Sequence, residues 1–192
     1  MKESEKSGLL KKVEQFLIDS LGPNHISTPH LKRTVYWVRV LDPDADEAVL
    51  IASLSHDIQR AEGGRPAVTD EAFKDFNREE YLTYHQEKGG VIMEDFLTRS
   101  GASAELAKKV NHLISRHELG GDKEQDLIRD ADSISFLENL VDSFIKEKVP
   151  DFGFEDVKKK FQWMFDRIGS DEAKKLAEPF FKDAMKKLMA SI

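Results

Sequence analysis

The sequence predicts an all-α protein folded as one bundle-like domain over residues 1–192. Apolar residues recur at helical spacing along most of the chain, and no segment alternates as a half-buried strand does. Stretches containing Gly and Pro separate the periodic segments. The chain is long enough to bury a sizeable core, and we expect C-terminal helices over 154–190 to pack on the rest of the bundle.

Charge and cysteine content exclude several classes of function. With 29 basic and 36 acidic residues the net charge is −7, which argues against a general nucleic-acid or membrane-surface binder. Cysteine is absent, so disulfides and thiolate ligands are excluded and we expect a cytoplasmic protein. No apolar run approaches the ~20 residues of a membrane span, and the charged N-terminal segment lacks the apolar stretch of a signal peptide.

The first two helices are predicted from apolar periodicity. The first ends at residues 22–24, Gly-Pro-Asn. Its apolar positions are Leu9, Val13, Phe16, Leu17 and Leu21. On the second helix His30 falls on one row with Thr34 and Trp37, which predicts that His30 points inward. Arg33 lies one turn on from His30 and is expected to share its pocket.

A buried third helix is predicted from the apolar run over residues 49–54, and it ends at the adjacent His56 and Asp57. Residues 63–66, Gly-Gly-Arg-Pro, cannot continue it. An imidazole and a carboxylate side by side at a helix end can converge on one divalent metal, whereas inside a helix they would point about 100° apart. The alternative is a capping histidine beside a solvated aspartate.

The fourth long helix, predicted from about Tyr81 to about Arg99, carries another inward-facing histidine. His85 lines up at helical spacing with Gly89 and with apolar residues further along, so His85 faces the core and Gly89 permits a close approach. Lys88 lies near His85, one turn beyond it. Before this helix, a helical region is predicted to begin at residues 69–70.

The next predicted helix is capped by Ser103 and continues past His117. His117 shares an apolar stripe with Val110 and Leu113, whereas His112 lies about 140° away around the helix. We therefore expect His117, rather than His112, to be buried.

A long helix from about Lys123 to Lys146 is apolar on most of its sides, which predicts a central position. It carries Asp130 and Asp132 near its start. Residues 149–153 are expected to break it, and two amphipathic helices follow, the last of them kinked or split at Pro179.

The inward-facing histidines and acids are separated by about one helix or helix pair, so a bundle can gather them into one cluster. A single inward histidine is most often a satisfied core residue, but burying several titratable groups without a partner costs free energy. A divalent metal removes that cost, since imidazole and carboxylate together accept a range of ions. The candidate ligands are His30, His56, Asp57, His85, His117 and one of Asp130 and Asp132.

These residues, in this order, resemble the HD-domain superfamily of metal-dependent phosphohydrolases over residues 25–140. His30 followed three residues later by Arg33 resembles the first motif of the superfamily. Residues 54–60, Leu-Ser-His-Asp-Ile-Gln-Arg, resemble its central motif, with Gln59 where glycine is usual. The resemblance implies an HD-like core over 25–140.

The closing segment of the resemblance is residues 129–134, Arg-Asp-Ala-Asp-Ser-Ile. In the superfamily the Asp after Ala is the ligand, which favours Asp132, whereas the helical count places Asp130 closer to the apolar stripe. The minimal metal site implied by the resemblance consists of His30, His56, Asp57 and Asp132.

Two further histidines match a larger version of that site. Branches of the superfamily with two additional histidines hold two metals bridged by the Asp of the His-Asp pair, here Asp57. His85, and His117 with Glu118, resemble those positions. Alternatively, these two histidines contact phosphate or act as general acids.

The resemblance implies hydrolysis of a small phosphoester, expected to be a nucleotide, by a metal-activated water. It implies one or two divalent ions of Mn, Ni, Co, Zn or Fe. The catalytic residues implied are Asp57, His85 and His117, and the candidates for neutralising phosphate charge are Arg33, Arg60 and Lys88. Two alternatives stay open: an HD-type di-iron oxygenase, and a non-catalytic module that binds a metal or a nucleotide. No oligomeric state is predicted.

Overall fold

Every regular element in the described part of the chain is helical, which confirms the all-α class. The structure is a computed structural model that describes residues 8–22, 27–62 and 79–191. Three sequence predictions fall outside these residues, at 23–24, at the loop 63–66 and at the helical region from 69–70. The helices are α1 (Gly8–Leu21), α2 (Ser27–Leu41), α3 (Glu47–Ser55), a 3-10 turn (Ile58–Glu62), α4 (Glu79–Arg99), α5 (Ala104–Ile114), α6 (Lys123–Asn139), α7 (Val141–Phe152), α8 (Phe154–Asp166) and α9 (Asp171–Met189).

α3 lies at the centre of the bundle. Its residues from Ala48 to Ser55 are all buried, because the apolar run has no polar face and the helix contacts α1, α2, α5 and α6. Asp46 caps its N-terminus by accepting a hydrogen bond from the Val49 amide at 3.0 Å. The helix ends at Ser55, so the pair at positions 56–57 lies in the turn that follows, as predicted for a helix end.

α4 packs closely against α5 and against the turn after α3 through two adjacent glycines. A methyl group on Gly89 would lie 3.3 Å from the His56 carbonyl oxygen, and one on Gly90 would lie 2.9 Å from the Asn111 carbonyl oxygen. Larger side chains would therefore push α4 away from both neighbours. The close approach predicted at Gly89 is confirmed, and it holds α4, with His85, against the turn that carries His56.

α5 ends earlier than the sequence predicted. It stops at Ile114, and His117 lies in the following turn. The amide of Arg116 bonds to the Leu113 carbonyl and that of His117 to the Ile114 carbonyl, so three-residue turns replace the helical pattern at this end. Periodicity alone does not detect this tightening, because the apolar stripe continues into the turn.

The single long helix predicted over 123–146 is wrong; two helices meet at Leu140, which caps α6. The side-chain amide of Asn139 donates to the Ser135 carbonyl, and the Ser143 hydroxyl donates to the Leu140 carbonyl. Such side-chain bonds compete with the helical backbone pattern. The break predicted at 149–153 is also misplaced at its start, because α7 contains Pro150 and ends only at Gly153, where φ is +86°.

The two C-terminal helices pack on α6 and on each other. α9 continues through Pro179 as one helix, so the split allowed by the sequence does not occur. Asp130 on α6 accepts hydrogen bonds from the Gly169 and Ser170 amides, each at 2.9 Å, and thereby ties the α8–α9 turn to α6. None of the helices described is long and apolar enough to cross a membrane.

Candidate metal centre

Imidazoles and carboxylates from separate segments converge in the interior of the bundle. They come from α2, from the turns after α3 and α5, from α4 and from α6. The residues are His30, His56, Asp57, His85, His117, Glu118 and Asp132, and all of them are buried. The fold thus brings together the four histidines and Asp57 that the sequence suggested as metal ligands, with Asp132 rather than Asp130 as the last of them, and Glu118 beside His117.

These side chains form three overlapping groups in which one potential ligand atom per residue lies within 4.8 Å of the others. The groups are His30 with His56 and Asp132, His56 with Asp57 and His117, and His85 with His117 and Glu118. Ring centroids are 5.3, 4.9 and 5.4 Å apart along the row His30, His56, His117, His85. The cluster is continuous because shared histidines link its groups.

Backbone carbonyls three residues earlier orient two of the histidines. Nδ1 of His56 lies 2.9 Å from the Ser53 carbonyl oxygen, and Nδ1 of His117 lies 2.8 Å from the Ile114 carbonyl oxygen. A carbonyl oxygen only accepts, so Nδ1 is the protonated nitrogen in both rings. Each imidazole is therefore left with Nε2 facing the cluster, where His56 Nε2 lies 3.3 Å from Asp132 Oδ1.

Side-chain oxygens orient the other two histidines in the same way. His85 Nδ1 lies 3.0 Å from Gln59 Oε1, which accepts. His30 Nδ1 lies 2.9 Å from Ser135 Oγ. Because that hydroxyl donates its hydrogen to the His30 carbonyl oxygen at 2.8 Å, Oγ accepts the hydrogen bond from the ring. Metal-binding histidines commonly have the second ring nitrogen fixed by such an acceptor. All four Nε2 atoms of the cluster are thus turned toward the carboxylates.

The two central imidazoles differ in protonation. Burial and the neighbouring charge of His56 lower the pKa of His117 to about 4, so His117 is neutral at physiological pH. Its Nε2 is buried and has no hydrogen-bond partner in the described part of the chain. Burial also disfavours charge on His56, but the adjacent Asp132 carboxylate outweighs burial and raises the pKa of His56 to about 9. An unpartnered buried lone pair beside carboxylates is a position that a cation fits.

Two arginines hold the carboxylates of the cluster. Asp57 Oδ1 accepts from Arg60 Nε at 2.8 Å and lies 3.0 Å from His85 Nε2. Arg167, at the end of α8, binds Asp132 Oδ2 and Glu118 Oε2, so the other oxygen of each carboxylate faces the histidines. Burial alone would raise the pKa of Glu118, but the Arg167 guanidinium lowers it to about 2.

Exposure is graded across the cluster. The four histidine side chains are 0–2% exposed, and the side chains of Asp57, Glu118, Asp132 and Arg167 are 6–8% exposed. Arg60 is 42% exposed. The histidines therefore form the floor of the site, and Arg60 marks the side from which a solvent-borne molecule would meet it.

The structure separates the two candidate aspartates of α6. Asp132 Oδ1 lies 2.9 Å from His30 Nε2 and belongs to the cluster. Asp130, in contrast, is engaged by the amides of the α8–α9 turn and by Arg129. The helical count that placed Asp130 nearer the apolar stripe is explained by this second buried environment, because both carboxylates are buried but face different partners.

The remaining residues considered from the sequence, Arg33, Lys88 and His112, lie in different environments. Arg33 does not share the pocket of His30; it forms a bidentate pair with Glu138 at 2.7 and 2.9 Å and lies over the Tyr36 ring. Glu138 faces α2 from α6, which offers the guanidinium a planar carboxylate partner. Lys88 is half-buried on α4. His112 is exposed and pairs with Asp122, so the preference for His117 as the buried histidine is confirmed.

Two basic residues of α8 escaped the sequence analysis. Arg167 completes the cluster, and Lys160 is buried near it. Both lie outside the 25–140 segment that carried the motifs. The sequence did contain an indication for Lys160. It lies at helical spacing between the apolar residues Val157 and Met164, which predicts that it lies on the buried face of its helix.

Gln59 fixes the ring of His85, because its side-chain oxygen accepts a hydrogen bond from His85 Nδ1. We expect Gln59→Leu to lower divalent-cation affinity about 10- to 100-fold, because His85 loses the acceptor that fixes its ring. The unpaired Nδ1 proton should also reduce the free energy of unfolding by about 1–3 kcal/mol. Cation titration and chemical denaturation measure the two effects. Gln15→Leu, on an exposed face of α1, is the control, and equal values for both variants would contradict the role of Gln59.

Comparison with known proteins places most of the chain in one family. Residues 23–188, which include the whole cluster, match a family described as a domain of unknown function, DUF4202. Neither the curated proteins nor the solved structures contain a match to the chain.

Proposed function

The chain belongs to the DUF4202 family, a domain of unknown function, and we propose that it is a metal-dependent phosphohydrolase of HD type that acts on a small phosphoester. The observation that carries this proposal is the arrangement of four buried imidazoles. Each has Nδ1 fixed by an oxygen acceptor and Nε2 turned toward carboxylates. A core that only needed to pack would not leave the His117 lone pair buried without a partner.

The donor set determines which cations the site would accept. Mixed imidazole nitrogen and carboxylate oxygen suits Mn, Fe, Co, Ni and Zn, and it is less suited to Ca or Mg, which prefer oxygen alone. Two of the groups, His30 with His56 and Asp132, and His85 with His117 and Glu118, share no residue. Asp57 lies beside residues of both groups, so these side chains would hold one cation or two.

A bound divalent cation in such a site lowers the pKa of a water and polarises a phosphate oxygen. The protein side chains would supply orientation and charge. Arg167 fixes Asp132 and Glu118, and Gln59 fixes His85, so the reacting groups would need little rearrangement. Arg60, at the exposed side, would meet the phosphate first and offset its charge while Asp57 orients the attacking water.

The proposal is tested by turnover on phosphoesters with each of the five cations supplied in turn. Asp57→Asn should lower kcat/KM by at least about a hundredfold, more than a change outside the ligand set would. Asp95→Asn, the same change at an exposed position of α4, should leave kcat/KM unchanged. Phosphate release and cation content are measured on the same samples.

Three results would contradict the proposal. Full activity in an Asp57→Asn protein that has lost its cation would exclude the cluster as the reaction site. Consumption of O₂ by the iron-loaded protein without phosphate release would favour the oxygenase alternative. Cation binding and a gain in thermal stability without turnover on any phosphoester would favour the non-catalytic module.

A further inference from the structure

Lys160 on α8 is a buried cation without an anionic partner. Its side chain is 9% exposed, and its Nζ lies 4.2 Å from the centroid of the Trp163 ring and 5.9 Å from that of Phe136. Among the described residues no carboxylate oxygen lies within 4.0 Å of Nζ and no acceptor is hydrogen-bonded to it. The three donors of an ammonium with no protein acceptor are left to solvent or to a bound anion, and a side chain this buried favours an acceptor that is held in place.

The neighbouring basic residue, Arg167, is fully occupied. Its guanidinium carbon lies 4.5 Å from the same Trp163 centroid, and its nitrogens bind Asp132, Glu118 and the Ser133 hydroxyl. Arg167 is therefore a positioning residue for the two carboxylates. Lys160 stands next to it, within the electrostatic range of Glu118 and Asp132, with its own donors uncommitted.

Burial lowers the pKa of Lys160 to about 8, despite the nearby Glu118 charge. The nearby guanidinium groups of Arg167 and Arg60 also oppose a further positive charge there. An anion placed between these basic side chains would relieve both effects.

Charge balance indicates what kind of anion the site would take. Three carboxylates, Asp57, Glu118 and Asp132, face three basic side chains, Arg60, Lys160 and Arg167. The three carboxylates and the three basic side chains cancel, so one divalent cation that has displaced the His56 proton would leave two excess positive charges. A phosphomonoester dianion would neutralise them, whereas a phosphodiester, with one charge, would not.

We propose that Lys160 binds the terminal phosphate of the substrate, and that the site consequently takes phosphomonoester dianions in preference to phosphodiesters. This inference rests on the proposed function for the cation and adds the class of substrate. The ammonium would donate charge-assisted hydrogen bonds to phosphate oxygens that face away from the histidines. The Trp163 ring, which lies 4.2 Å from Nζ, would hold the ammonium of Lys160 in place by a cation–π contact.

The first test measures the binding of inorganic phosphate to the manganese-loaded protein by titration calorimetry. Lys160→Met, which keeps the apolar stem, should weaken phosphate binding about 10- to 100-fold, the loss of a hydrogen bond to a charged group. Lys160→Arg should bind within a few-fold of the wild type. Lys159→Met, which removes an exposed lysine one position earlier on α8, is the matched control and should bind as the wild type does. Manganese content should be equal in all four proteins.

A second measurement compares a phosphomonoester with a phosphodiester of the same leaving group. Lys160→Met should lower kcat/KM for the monoester at least tenfold while leaving the value for the diester nearly unchanged. If Lys160→Met does not fold, Lys160→Gln takes its place in both measurements. Equal phosphate affinity in the Lys160→Met and Lys159→Met proteins would overturn the inference.

The outcomes separate this inference from the proposed function. Cation-dependent hydrolysis that does not respond to Lys160, or that prefers diesters, would overturn the role of Lys160 and leave the hydrolase standing. Phosphate binding that depends on Lys160, in a protein with no turnover on any ester, would support the anion site and overturn the hydrolase.

Discussion

Replacing Asp132 with Asn should abolish turnover and lower divalent-cation affinity by more than about a hundredfold. Asp132 Oδ1 lies 2.9 Å from His30 Nε2 and 3.3 Å from His56 Nε2, while Oδ2 binds Arg167. The amide keeps the shape of the carboxylate, so the fold should persist. It cannot supply the negative charge that lets imidazoles and a cation share one buried space. Metal analysis, cation titration and phosphate release measure the effect.

Asp130→Asn is the matched control, because it makes the same change two residues earlier on the same helix. Asp130 accepts from the Gly169 and Ser170 amides, so we expect a loss of about 1–3 kcal/mol in the free energy of unfolding and an unchanged cation content. This pair of variants also decides between the two aspartates of α6. A protein that lost its cation with Asp130→Asn and kept it with Asp132→Asn would assign the ligand to Asp130.

The affinity for a divalent cation should increase about tenfold per pH unit between pH 6.5 and 9, and then level off. The reason is that the Asp132 carboxylate, acting against burial, raises the pKa of His56 to about 9, so a cation must displace the proton of His56 below that pH. His117 needs no such displacement, because burial lowers its pKa to about 4. Calorimetry in buffers of different ionisation enthalpy should find about one proton released per cation near pH 7.5.

The same pKa shifts make the stability of the cation-free protein depend on pH. The folded pKa of His56 lies above the ordinary value of 6.5, so its contribution to stability is complete below pH 6.5 and is lost as the pH rises to about 9. The folded pKa of His117 lies below 6.5, so its contribution is complete above pH 6.5 and is lost as the pH falls to about 4. Each shift corresponds to about 3 kcal/mol. Denaturation in the presence of a chelator should show both losses.

The surface histidine provides the control for both pH measurements. His112→Asn removes an exposed imidazole that pairs with Asp122 and should leave the pH dependence of cation affinity unchanged. Asp132→Asn should remove the alkaline loss of stability, because the pKa of His56 would no longer be raised. An affinity that stays constant from pH 6.5 to 9 would contradict the assignment of His56 as a protonated member of the cluster.

The sequence by itself determined the helical class and the facing of individual side chains. The inward orientation of His30 and His85 follows from a 3.6-residue period that is set by the local backbone. The apolar stripe of α5 also predicted the burial of His117 rather than His112, although His117 lies in the turn after the helix. The His56–Asp57 pair at the end of α3 follows from an apolar run that stops there. The metal, the HD resemblance and the hydrolysis stay predictions.

Helix ends and long-range partners were decided by the tertiary structure. The end of α5 at Ile114 and the break at Leu140 depend on hydrogen bonds that periodicity does not contain. Arg33 was assigned to His30 because it is close in sequence, yet its partner Glu138 lies 105 residues away. Proximity along the chain predicts contacts only within one helix.

The candidate site was determined partly by the sequence and partly by the tertiary structure. Five histidine and aspartate positions of the cluster were visible as local patterns, but Asp132 needed the packing of α6 on α2 to be separated from Asp130. Arg167 reaches Asp132 across 35 residues, and Lys160 reaches the same place only because α8 packs against α6. A buried charge is stabilised by whichever opposite charge the fold places next to it, and that neighbour is fixed by the packing of whole helices.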